Sequence, residues 1–147
     1  MGKVQDIVSA IKTRVQTVAT GYTELSYAKD LAKNTFKDNH KRFGVLPKGA
    51  VETQGIVRHA TFDQDFELVL TQGFINKPMS DSEEQSKAIE LQDLIQSIYL
   101  DLVQTKVGLP STCIIVADLN IDAPETNDQH KLLVQKASFK IKYRINL

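Results

Sequence analysis

The stretch Ala137-Ser138-Phe139-Lys140-Ile141-Lys142-Tyr143-Arg144-Ile145 decides the architecture. Its odd positions are apolar or aromatic, while Lys136, Ser138, Lys140, Lys142 and Arg144 fill the alternate ones. Side chains of a strand point to opposite faces in turn, so this period of two predicts a long, half-buried strand over Lys131–Leu147. A second stretch has the matching pattern. Thr61–Thr71 sets Phe62, Phe66, Leu68 and Leu70 on one side and Asp63, Asp65, Glu67 and Val69 on the other, with Gln64 the one intruder on the apolar side. If the two strands pair, three carboxylates face Lys140, Lys142 and Arg144 across the ladder.

Further strands are predicted at Glu52–His59 and, as a short piece, at Thr23–Tyr27. Cys113-Ile114-Ile115-Val116-Ala117 is a continuous apolar run and predicts a strand covered on both faces. Helical spacing takes over in two places. Val4, Ile7, Val8, Ile11, Val15 and Val18 recur every three or four residues, and Gly21 follows to stop the helix. Ile89, Leu91, Leu94, Ile95, Ile98, Tyr99, Leu102 and Val103 do the same in a longer helix opened by Asp81-Ser82-Glu83-Glu84, where acids suit a helix N-terminus. A short helix is possible over Ala28–Arg42, carrying Lys29, Lys33, Lys37 and Lys41 in a stripe. Phe43–Ala50, with two glycines and Pro47, reads as a connector. Gln72–Ser80 and Asp118–His130 read as loops. The expected fold is therefore α+β, an antiparallel or mixed β-sheet with two long helices packed on one face.

The 147 residues suit one domain, since a chain of this size can bury roughly 70% of its unfolded surface without disulfides or a structural metal. Eighteen basic side chains balance eighteen acidic ones, which argues against a dedicated nucleic-acid or membrane-surface protein. No apolar run approaches the ~18 residues of a membrane span. With Cys113 as the single cysteine, no intramolecular disulfide can form, and a reducing compartment fits best.

Motifs for chemistry are sparse. His40, His59 and His130 stand apart, none at metal-ligand spacing from another ligand. Asp118, Asn120 and Asp122 occupy the first three ligand positions of a calcium loop, but Ala123 stands where the turn needs glycine and Gln129 where a bidentate Glu belongs. Cys113, inside an apolar strand, reads as a small buried hydrophobe. No phosphate loop or nucleophile elbow is present. No enzyme activity, metal or cofactor is expected.

The opening helix Val4–Val18, the segment Asn34 to Phe43-Gly44-Val45-Leu46-Pro47, the strand Thr61–Leu70, the acid-started helix Asp81–Lys106 and the closing strand pair form a layout over nearly the whole chain. It resembles the tail terminator proteins of long-tailed bacteriophages. That resemblance implies a virion protein at the head-proximal end of the tail, assembled in the host cytoplasm. It implies a hexameric ring that caps the tail tube protein, joins the head connector or neck protein, and passes DNA through its channel without specific binding. A neck or head-tail connector protein of similar size is the alternative, and a small α+β ligand-binding module or enzyme the alternative from another class. On this reading Arg42, Phe43, Gly44, Pro47, Asp122, Glu125 and Asp128 are the interface candidates, and Asp63, Asp65 and Glu67 the channel-facing ones.

Overall fold

The computed structural model describes residues 3–24, 41–56, 58–73, 81–106, 108–127 and 132–146. In chain order they form α1 (Lys3–Val18), β1 (Thr23–Glu24), β2 (Lys41–Ile56), β3 (His59–Gly73), α2 (Asp81–Thr105), β4 (Cys113–Ile121), β5 (Glu125–Asn127) and β6 (Leu132–Asn146). The strands make one six-stranded sheet in the order β1-β2-β3-β6-β4, with β5 also paired to β6. Only β1 runs parallel to its neighbour, through Thr23 and Glu24 beside Arg42 and Phe43; the other pairings are antiparallel.

At the centre, β3 and β6 pair without a break from His59↔Asn146 to Gly73↔Leu132. Their alternation has the expected outcome: Phe66, Leu68 and Leu70 of β3 and Ala137, Phe139, Ile141 and Tyr143 of β6 are buried in one core. Gln64 stands on this side as well, buried, its amide donating to the Asp65 carbonyl. Ile7, Ile11 and Val15 of α1 and Leu91, Ile95, Ile98 and Leu102 of α2 complete the core, each fully removed from solvent. Burial of one such side chain contributes about 1.5–3 kcal/mol. Gly21, at φ 92°, adopts the left-handed conformation that ends α1. Arg14 of α1 grips Asp101 of α2 through two hydrogen bonds of 2.6 and 2.9 Å, a contact across 87 positions of sequence.

Several expectations need correction. The fold is not an α+β arrangement of two long helices packed on one face: it is dominated by the mixed sheet, three of whose strands have 15 or 16 residues. The helices are unequal, 16 and 25 residues, and divide the sheet, α1 touching chiefly β2 while α2 touches β4 and β6. Helical periodicity states which side of a helix is buried but not the strands it meets. The balance shifted because the breaker-rich segment Phe43–Ala50 is strand. Beyond Phe43, β2 has no described neighbour on its outer side, and an edge strand tolerates Pro47 because it has only one ladder to complete.

Asp118–His130 is likewise not a plain loop, for β4 continues to Ile121 and β5 occupies Glu125–Asn127. The β2–β3 turn falls between Ile56 and His59, which pair with each other, earlier than the expected strand limits. Arg58 turns there at φ 91°. Nor is β4 covered on both faces: Ile114 and Ile115 are 42% and 47% exposed. The short helix over Ala28–Arg42 lies outside the described residues except at Lys41 and Arg42, which belong to β2.

Candidate functional site

The sheet has a second face, opposite the core, and its sequence dictates a polar surface. Register puts Asp63 beside Lys142, Asp65 beside Lys140 and Glu67 beside Ser138, so the three expected carboxylates share this face with the bases of β6. Lys142 forms an ion pair with Asp63 at 3.9 Å, and Lys48 from β2 reaches Glu67 at 3.5 Å. Pairs this open to water contribute at most about 1 kcal/mol each, so their effect is to set the local field rather than to hold the fold. The surface closes toward one end, where β3 is buried on both faces from Leu68 to Gly73. Over the open half, Asp63, Ile115, Ala117, Asp118, Lys140 and Lys142 line a shallow recess of about 180 Å³.

The interface candidates divide between the two lateral flanks of the sheet. Arg42, Phe43, Gly44 and Pro47 are on β2, whereas Asp122 and Glu125 are at the β4–β5 side, both exposed. Phe43 is fully buried and belongs to the core; Pro47 is exposed, and Arg42 and Gly44 are half-buried. Asp128 lies outside the described residues, as do His40 and His130.

On the β2 flank, every residue from Pro47 to Gly55 is exposed, including Val51 at 68%. Ala50 and Glu52, which by register share a side with the core residues of β3, are exposed too. This end of β2 overhangs the core. On the opposite flank, α2 carries Ile89, Asp93, Gln96, Leu100 and Val103 at alternating spacings of four and three, all exposed. Three residues beyond Val103, Lys106 donates its ammonium to the Ile114 carbonyl at 2.5 Å and so brings the end of α2 onto β4. Alongside the start of α2, Ala88, Ile89 and Gln92 face Pro124 across an open groove of about 390 Å³.

Sequence reasoning missed what ties this flank together. Gln135, on the core side of β6 and fully buried, donates to the carbonyls of Asp122 and Lys136 at 2.5 and 3.2 Å and accepts from Gln92 of α2 at 3.2 Å. Thr126 of β5 donates to Glu84 at 2.8 Å. A glutamine standing where the alternation calls for an apolar residue was the available signal.

One buried group bears on chemistry. Burial pushes the Cys113 thiol up to about 11, against the smaller opposing pull of Lys106 and Lys3, so at neutral pH it is protonated and a poor nucleophile. Among the described residues, no three His, Cys, Asp or Glu side chains converge as metal ligands, and no helix is long and apolar enough to cross a membrane. What the described geometry offers is surface for association: a charged face between an overhanging strand and a partly apolar flank.

No protein-family model matches the sequence, and no curated protein does. A second solved chain aligns over 99% of this one at 15% identity, but with a TM-score of 0.38 it carries no argument. The informative likeness is to a chain in the virion of a native gene transfer agent particle, which superposes over 98% of both chains with a TM-score of 0.58 at 7% identity, and therefore shares this fold from end to end.

Proposed function

We propose that the protein is a structural component of a phage-like virion, and more closely that it caps the tail tube as a homomeric ring and joins it to the head. The observation that carries this reading is the end-to-end fold likeness to a chain of a gene transfer agent virion. Two features of the molecule support it. Its functional surfaces are broad and exposed rather than enclosed, as assembly requires. Its outer sheet face interleaves Asp63, Asp65 and Glu67 with Lys140 and Lys142, which suits a channel that must let DNA slide, since an unbroken basic strip would hold the phosphates. On this reading the role is structural and not catalytic.

The test mixes purified protein with assembled tail tubes and the head connector, followed by negative-stain electron microscopy. The expected result is ring-shaped caps at one end of the tube and arrest of its growth. Absence of both rings and caps would overturn the proposal. Binding to the head connector without binding the tube would instead support the neck reading.

A further inference from the structure

We propose that copies of this chain join head to tail, the overhanging end of β2, residues 47–55, of one copy seating on the α2–β4 flank of the next. The inference rests on the ring reading above and names its contact surfaces. Six large apolar side chains are notably exposed in the described structure, and this pairing accounts for most of them. Val51 projects from the overhang, while Ile89, Leu100, Val103 and Ile114 lie on or beside the receiving flank. Leaving such groups in water costs free energy that burial between copies recovers.

The charges agree in sign. The receiving flank presents Asp93, Asp122 and Glu125, all exposed, and none of them is in an ion pair with another described residue. The overhang and its turn carry Arg58 and Lys48, the latter half exposed though it also reaches Glu67, against the single Glu52. An acidic flank therefore repels another acidic flank and attracts the overhang.

Geometry fixes the kind of assembly. The two surfaces sit at opposite edges of one sheet, in the order β1-β2-β3-β6-β4, so occupying one leaves the other free. Contact between unlike surfaces either closes into a ring or propagates. Contact between like surfaces would stop at a dimer.

Two exposed substitutions test this. Val51→Asp spoils the overhang and leaves the flank intact; Leu100→Asp does the reverse. Circular dichroism and melting should show both variants folded. In sedimentation at hundreds of micromolar, wild-type protein should form species larger than a dimer, and each variant alone should associate at least about tenfold more weakly. An equimolar mixture should form a 1:1 dimer that grows no further, because just one competent overhang and one competent flank remain. Association of either variant at wild-type strength, absence of the mixed dimer, or a wild type that stays monomeric would overturn the inference. If Val51→Asp still caps tubes as rings, these contacts fall and the terminator reading stands. If the mixed dimer forms but wild-type protein never caps a tube, the contacts stand and that reading falls.

Discussion

Cys113 shows how far one side chain can report on the fold. Its thiol, ordinarily near 9.0, is raised to about 11 by burial in the core, and Tyr22 is raised from 10.0 to about 12, by burial first and by Glu90 second. Below pH 9 both groups are protonated whether the chain is folded or not, and stability does not depend on them. Between pH 9 and 11 the unfolded chain releases the thiol proton while the folded one keeps it, so stability falls as pH rises. Urea midpoints measured from pH 8 to 10.5 should be level and then decline, and Cys113→Ala should flatten the decline between 9 and 10, leaving the later fall due to Tyr22 and Tyr143, whose hydroxyl burial also raises. An identical decline in the variant would reject this account. Burial of Cys113 was legible, because a lone cysteine in an apolar run is usually inside. Gln135 was not, because what makes a buried amide tolerable is its set of partners, and Gln92 and the Asp122 carbonyl are distant in sequence.

Among the elements, β3 and β6 were readable nearly to their ends, since strict alternation has a single interpretation when one face is buried. For β2 the local signals misled. Gly44, Pro47 and Gly49 argue against a central strand, and only the topology reveals that this strand lies at an edge for most of its length. The turn after it was misplaced for a related reason: the usual residues for a two-residue hairpin are Asn and Gly, and here Arg58 holds φ 91° instead. A non-glycine residue in that region costs on the order of 1 kcal/mol. Arg58→Gly should therefore stabilise the protein by about 1 kcal/mol, seen as a melting temperature roughly 2–4 °C higher. An unchanged or lower value would show that the arginine is unstrained there.

At the scale of the whole molecule, zero net charge conceals segregation. From Asp81 to Thr105, α2 carries six carboxylates and one lysine, while β6 carries four bases and no acid. Composition could not show this, and even the paired strands left open which flank each group would occupy. On the outer face the bases of β6 meet Asp63 and Asp65, so a DNA duplex finds no continuous cationic track. Fluorescence anisotropy with a short duplex at physiological salt should find no binding tighter than the ~10⁻⁴–10⁻⁶ M of non-specific contacts. Tighter binding would mean that the neighbouring carboxylates fail to screen Lys140, Lys142 and Arg144. The two outermost long strands share one more property. β2 shifts register at Pro47/Ala50 and Glu52/Gln54, β4 shifts at Cys113/Ile115 and Ala117/Asn120, and Lys106 occupies the Ile114 carbonyl. An edge interrupted in this way offers no long row of backbone donors and acceptors for another chain to copy. Any recognition between molecules is thus left to side chains, whose contacts can be made, tested and released, and a concentrated solution of the protein is kept from the irreversible cross-β stacking that smooth edges invite.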